Sequence, residues 1–351
     1  MCQEFLNSVI SQAFNTADPQ SFFVESDQHL LYPNPTIFED VKADLQATGI
    51  KQDSAEMREH LRELSKQYEF LGRIIGKCLY EGILVDVSFA GFFLKKWSLT
   101  GGTGSAPNES HYRPNINDLR ELDPSLYKGL LDLKNAENAE DIMATFTVND
   151  EVGPPGKKRV VEIDLAPNGS NTPVTNENRL SYINRVAAYR LQAQSKRQTN
   201  AFLRGLGDII QPSWLSMFNQ AEMQTLIGGA SAGIDVEDLR RNTQYGGVYV
   251  IGNDGQEHPS IKLFWQVMSK FPDEDRQKVL KFVTSTPRGP LLGFAHLNPR
   301  FSIRDSGSDE NRYPTTSTCV NLLKLPMYKS EKALREKLLA AVNSGAGFDL
   351  S

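Results

Sequence analysis

Cys319 is the residue of this 351-residue chain best suited to covalent chemistry. It stands in YPTTSTCVNLLKLP, residues 313–326, behind Thr315, Thr316, Ser317 and Thr318. A cysteine that only fills a core has apolar neighbours on both sides, because a free thiol packs as a small hydrophobe. Here a polar loop is predicted to lead into a strand, VNLLKL, that can be buried on both faces. Loops joining buried elements run over the surface, so the thiol is predicted to be accessible at a sheet edge. On spacing alone, a lone cysteine beside a strand is still more often a core residue. A cysteine hydrolase would need an imidazole close by, and His296 is the one histidine at modest sequence distance.

Other chemistries find less support. The remaining cysteines, Cys2 and Cys78, complete a scattered set of three with no CxxC spacing. That excludes a disulfide framework and a cysteine zinc site, and it fits a reducing compartment, cytoplasmic or nuclear. His29, His60, His111, His258 and His296 form no HExxH or HxxxH pair. The chain lacks GxGxxG and GxxxxGK[ST], and the glycines of 101–107 read as a surface loop. No metal and no small cofactor is implied. A net charge of −5 offers nothing to nucleic acid or to an anionic membrane, and no apolar run reaches the ~20 residues that span a bilayer. The opening MCQEFLNSVISQAF has no basic n-region and no cleavage site, so it is not read as a signal peptide.

The elements that must position the thiol follow from periodicity. With 39% hydrophobic and 23% charged residues, the chain is of ordinary globular composition, enough for two domains or one large one. From Asp53, Leu61, Leu64, Tyr68, Leu71, Ile75 and Leu79 recur at helical spacing, with Asp53 or Ser54 as cap and Cys78 in the apolar half. Asp86 is a lone acid in an apolar run and reads as a solvated turn residue. Residues 98–120 read as loop, and 145–165 as a β-hairpin turning at Gly153-Pro154-Pro155-Gly156. A second helical run covers 176–206, with Tyr182, Tyr189 and Phe202 assigned to the core by composition. Six small residues, Gly228 to Gly233, then form the best linker candidate, since none carries a side chain large enough to pack. Beyond it come a helix from Ser260 as cap, a helix opened by Pro272 and three acids, short strands near GFAHL and RFSI, and the cysteine segment. A last helix with the stripe Leu334, Leu338 and Val342 is ended by Gly345. Residues 234–351 are therefore expected to form a compact α/β unit.

At the cysteine, TSTCVNLLKLPMY (316–328) resembles the active-site signature of HECT-type ubiquitin ligases, LPxxxTCxNxLxLPxY, at Pro314, Thr318, Cys319, Asn321, Leu323, Leu325, Pro326 and Tyr328. PVTNENR (173–179), LGRIIGKCLYEG and TQYGGVY (243–249) are similar to further family segments, and Phe348 matches the family's phenylalanine fourth from the end. The resemblance runs over essentially the whole chain and is nearest the proteasome-associated subgroup.

It implies an α+β bilobal domain: a larger, mainly helical N-lobe (1–228), a hinge at Gly229, Ala230, Ser231, Ala232 and Gly233, and a smaller α/β C-lobe (234–351). It implies an activity in which Cys319 accepts ubiquitin as a thioester from a charged ubiquitin-conjugating enzyme and passes it to a lysine. Thr318 and Asn321 would shape the loop and the approach of the thioester carbonyl. Phe348 belongs to the same set, and Asp349 or Asp86 would deprotonate the incoming lysine. Many family members carry a histidine two positions before the cysteine; Ser317 stands there here, so that imidazole is unavailable. A small subdomain, about 125–207, would dock the conjugating enzyme through Leu126, Leu130, Ile142, Tyr182 and Val186. Protein substrates and the proteasome would be further partners. Two alternatives stay open: a hydrolase built on Cys319 and His296, and a catalytically impaired module that only binds a conjugating enzyme.

Overall fold

The computed structural model describes residues 6, 9–10, 12–16, 21–98, 112–153, 156–229, 233–252, 255–290 and 292–344. The chain divides into two compact units, one of Ser11–Lys77 with Ser88–Met223, the other of Met1–Ile10, Cys78–Val87 and Gln224–Ser351. Among the described residues, no helix is long and apolar enough to cross a membrane, and no cluster of His, Cys, Asp or Glu gathers for a metal ion. Helix predominates among the described residues and is accompanied by three small sheets, a mixed α+β arrangement.

In the first unit, a two-stranded ribbon, β1 (Phe23–Glu25) and β2 (Leu31–Pro33), precedes α1 (Ile37–Ala47) and the long α2 (Ala55–Glu81). Ser54 rather than Asp53 begins α2: its Oγ accepts the Met57 amide at 3.0 Å. Of the predicted stripe, Leu61, Leu64, Tyr68, Leu71 and Ile75 are buried and Leu79 is half-buried; Cys78 is buried. The first unit continues with α3 (Pro124–Asn135) and an antiparallel hairpin of β3 (Thr147–Val152) and β4 (Arg159–Asp164), as the alternation predicted.

The helical run predicted over 176–206 is not continuous. It divides into α4 (Arg179–Ala188), a widened π-turn (Tyr189–Ala193) and α5 (Lys196–Gly207). Asp150 on β3 is the physical cause. Its buried carboxylate accepts from Tyr189 Oη, from Arg190 Nη1 at 2.6 Å and from Gln194 Nε2 at 3.0 Å. Three donors spread over six positions reach one acceptor more readily from a widened turn than from a regular helix. Of the three aromatics assigned to the core, Phe202 is fully buried and Tyr182 and Tyr189 are half-buried.

Helices α2 and α5 lie in contact through glycine. A Cβ on Gly72 would sit 2.0 Å from the Phe202 carbonyl oxygen, and one on Gly205 would sit 1.8 Å from that of Glu69. Gly72 of LGRIIG is thus a packing residue set by backbone approaching backbone, and Gly76 is one set mainly by the Ile209 side chain, 3.0 Å from a Cβ placed there. Phe23, Phe93, Trp97 and Phe202 close the core beside them, with ring centroids 5.3–6.0 Å apart.

In the second unit, Val85 donates to the Ile227 carbonyl at the end of α6 (Gln220–Gly228). There follow α7 (Val236–Arg241), β5 (Gln244–Gly246), α8 (Pro259–Lys270), α9 (Asp273–Thr284), β6 (Ser302–Asp305), β7 (Thr315–Ser317), β8 (Leu322–Leu325) and α10 (Glu331–Asn343). The strands form one sheet in the order β5-β6-β8-β7, parallel except for the β7–β8 pair. Ile303, Leu323 and Leu325 are fully buried, in one apolar core with Phe264, Trp265, Leu334 and Leu338. Each such side chain contributes about 1.5–3 kcal/mol on burial.

Four expectations change here. Ser260 does not cap α8: Pro259 takes the first helical position, His258 Nδ1 accepts the Ser260 amide at 3.2 Å, and the Ser260 hydroxyl is buried on the Tyr328 carbonyl. GFAHL is a helical turn, Phe294–His296, because the Phe294 amide is held by Asp238 Oδ2 at 2.7 Å and not by a strand. The hydroxyl run is not a loop, since Thr315–Ser317 is strand β7. β8 buries one face, with Leu323 and Leu325 inside and Leu322 and Lys324 half-buried.

Candidate active site

Cys319 sits in the tight connection of an antiparallel hairpin. Pairing of Thr316 with Leu323 and Ser317 with Leu322 leaves residues 318–321 to turn the chain. Threonine is a good strand former, which is why the hydroxyl run extends up to the turn. Thr318–Val320 form a short helical turn, closed by the Asn321 amide on the Thr318 carbonyl at 3.3 Å.

Asn321 ends the turn in the left-handed region, φ 50°. Asparagine tolerates that conformation better than other non-glycine residues. Its buried side chain donates from Nδ2 to the Pro299 carbonyl at 2.6 Å, and its own carbonyl accepts the Ser302 amide at 2.9 Å. One residue therefore pins the cysteine turn both to the loop ahead of β6 and to β6 itself. Asn321 Oδ1 and Thr316 Oγ1 are buried without a hydrogen-bond partner among the described residues.

The sulfur side of the turn is open. Cys319 is half-buried, Thr318 and Ser317 are half-buried, and Val320 is 47% exposed. No described residue hydrogen-bonds Cys319. His296 is exposed on the segment leading to Pro299 and does not bond the thiol. A thiol without a bonded imidazole, next to an exposed apolar residue on a rigid turn, is suited to a large incoming acyl carrier more than to a self-contained hydrolytic dyad.

The other predicted residues are distributed as follows. Phe348 and Asp349 lie outside the described residues, as do Gly345, Ala230, Ser231 and Ala232. Asp86 is ion-paired with Lys281 of α9, Nζ to Oδ2 2.5 Å. Gly229 is buried with φ 86°, and a Cβ there would sit 2.6 Å from the Gly289 carbonyl oxygen. Gly233 lies against the Asp273 carboxylate, which accepts the Ile234 amide at 2.7 Å.

Leu126 and Tyr182 are half-buried, Leu130 and Val186 are buried, and Ile142 is 52% exposed. Tyr182 packs edge-on against Phe146, and burial raises its phenol pKa. Met143, next to Ile142 and 89% exposed, escaped the sequence reading. The available signal was an isoleucine–methionine pair directly after the acids of AEDIM. That turn is held by the TNENR segment: Asn176 Oδ1 accepts the Ala139 amide at 3.0 Å, and Arg179 donates to the Ala136 carbonyl at 2.5 Å. The motif is therefore a clamp between α3, the Ile142 turn and α4.

Comparison with known proteins agrees with this geometry. Residues 7–351 match the HECT-domain (ubiquitin-transferase) family, and the chain belongs to it. It is 45% identical over 353 residues to a probable E3 ubiquitin protein ligase of Schizosaccharomyces pombe, covering 100% of this chain and 30% of that protein. It is 40% identical to the E3 ubiquitin-protein ligase HUL5 of Saccharomyces cerevisiae (99% and 34% covered) and 37% identical to the human ubiquitin-protein ligase E3B (99% and 32%). The chain thus spans about a third of the length of these relatives.

Proposed function

We propose that this chain is a ubiquitin transferase that carries ubiquitin as a thioester on Cys319. The carrying observation is a half-buried cysteine on a pinned hairpin turn, in a chain matched to this family from residue 7 to residue 351. In the first step the Cys319 thiolate attacks the thioester carbonyl of ubiquitin on a conjugating enzyme. The new C–S bond replaces the old one, and the enzyme's cysteine leaves as thiolate. Two thioesters are nearly equal in energy, so the protein has mainly to position the groups. In the second step a lysine amine attacks the Cys319 thioester, an amide forms, and the Cys319 thiolate leaves while the amine gives up a proton.

Thr318 and Asn321 hold the turn in this scheme. Phe348 and Asp349 act from the C-terminal tail, with Asp349 as proton acceptor; Asp86, already paired with Lys281, is the less available acid. Leu126, Leu130, Ile142, Tyr182 and Val186 form the docking region for the conjugating enzyme, with Ile142 offering exposed apolar surface. Residues 229–233 are the hinge between an N-lobe of 1–228 and a C-lobe of 234–351, which lets the sulfur meet two large partners in turn. Protein substrates, ubiquitin and the proteasome are the partners, in the cytoplasm or nucleus.

A single-round transfer assay tests the proposal. Pre-charged conjugating enzyme is mixed with the chain, and the products are separated with and without thiol reductant. A reductant-sensitive band one ubiquitin heavier is expected, converted in Cys319→Ser to a reductant-stable ester or lost. A reductant-sensitive adduct that survives in Cys319→Ala refutes the assignment. Unchanged transfer in His296→Ala is expected, whereas a hydrolase would lose activity.

A further inference from the structure

A cationic cleft lies in the first unit, between α2 and α5. It encloses about 440 Å³ and is lined by Arg58, Arg62 and Lys66 from one helix and Arg197 and Arg204 from the other, with Glu69 at one end. Five cations face one carboxylate in a chain whose net charge is −5. The spacing explains the convergence. Positions 58, 62, 66 and 69 lie at three- and four-residue steps on one face of α2, and 197 and 204 lie two turns apart on α5. The two helices run in the same direction. Arg197 Nη2 donates to the Leu61 carbonyl at 3.1 Å, and Arg204 meets Glu69 at 2.7 Å, about two turns further on in each helix.

Ion pairs already engage Arg62, Lys66 and Arg204, and leave Arg58 and Arg197 without a paired carboxylate among the described residues. Glu69 is shared by Arg204 and, at 3.8 Å, by Arg73. Arg62 and Lys66 pair with Glu59 and Glu63 through side chains all more than half exposed, and such pairs are weak and exchangeable. The Arg58 guanidinium has no ion pair or hydrogen bond among the described residues, its amide alone donating to the Ser54 carbonyl at 3.2 Å. Arg197 is fixed without a carboxylate: its guanidinium lies over the Phe38 ring at 4.0 Å, tied to a main-chain carbonyl. Burial lowers its pKa, with Glu39 offsetting part of that. A preorganised arginine fork with an unpaired second arginine beside it matches the oxygens of a phosphoryl group.

We infer that this cleft is a binding site for a phosphoryl-bearing anion, distinct from the cysteine turn. Its chemistry is that of a dianion held by Arg58 and Arg197 and surrounded by Arg62 and Lys66. The source is either a phosphorylated side chain or a free phosphate compound.

Isothermal titration of the whole chain separates these. The probes are pyrophosphate, a serine phosphopeptide, the same peptide unphosphorylated, and the same peptide with glutamate at the phosphosite. Saturable binding of pyrophosphate or phosphopeptide is expected, without binding of the unphosphorylated peptide. It should weaken about tenfold or more in Arg58→Gln and in Arg197→Gln, from loss of charge-assisted hydrogen bonds. It should also weaken as ionic strength rises. The Arg58 side chain makes no ion pair or hydrogen bond among the described residues, so its variant tests the site without removing a contact of the fold. Binding of phosphopeptide over pyrophosphate assigns a phosphorylated side chain, and the reverse assigns a free phosphate compound. No saturable binding, unchanged affinity in Arg58→Gln, or equal affinity for the glutamate peptide overturns the inference.

Discussion

Asn321 carries two separable duties, and three substitutions distinguish them. Its φ of 50° costs an alanine about 1–2 kcal/mol, and its Nδ2 bond to Pro299 contributes about 1 kcal/mol net. Asn321→Ala loses both, so destabilisation of roughly 2–3 kcal/mol is expected. Asn321→Gly keeps the backbone conformation and loses only the tie, plus some chain entropy, so roughly 1–2 kcal/mol is expected. Asn321→Asp fares worst, because it buries a carboxylate and sets an acceptor 2.6 Å from an acceptor, costing on the order of 3–5 kcal/mol if charged. Hydrogen exchange at the Ser302 amide, which donates to the Asn321 carbonyl, reads the loss of the pin locally. Single-round adduct formation should fall in the same order, Gly, Ala, Asp, while conjugating-enzyme affinity stays constant. Equal behaviour of Ala and Gly would refute the left-handed strain argument. An Asp variant as stable as the parent would refute the Pro299 tie.

Gly205→Ala should destabilise the first unit by about 3 kcal/mol, because its Cβ would meet the Glu69 carbonyl and backbone cannot yield as a side chain can; a thermal scan should show a drop of roughly 6–12 °C, and a drop near zero would refute the close approach. Burial pushes the phenols of Tyr32, Tyr245 and Tyr249 up to about 12, so their protonated forms are favoured in the fold. The corresponding stability is complete below the unfolded value near 10 and is lost as pH rises through 12, at about 1.4 kcal/mol per pH unit for the well-buried Tyr32 and less for the more solvent-screened Tyr245 and Tyr249. Tyr32→Phe should flatten this alkaline slope in urea titrations at pH 10–12. Met143→Asp and Ile142→Ala should each weaken conjugating-enzyme binding about tenfold or more without altering stability, whereas Leu130→Ala should cost about 2–5 kcal/mol of folding free energy. Calorimetry of both quantities checks the split between exposed and buried members of the docking region.

The sequence alone determined what periodicity and local chemistry encode. The apolar stripe of α2, the 147–164 hairpin and the apolar face of α10 were legible because each signal lies within one element. The catalytic candidate was legible because a thiol among hydroxyls breaks the pattern of a core strand, and the family signature falls on the same residue. Long-range pairing decided the rest. The hydroxyl run became strand β7 only because Leu322–Lys324 stood ready to pair with it. The 176–206 helix opened at Tyr189 because Asp150, some forty residues away, collects three donors there. Gly72 of LGRIIG is explained only by the carbonyl of Phe202, 130 residues later. Leu130 and Val186 differ from Ile142 in burial although all three are apolar, because exposure belongs to the packed surface and not to the residue type. The same reason hid the cationic cleft: its arginines lie on two distant helices, and only their packing brings the charges together.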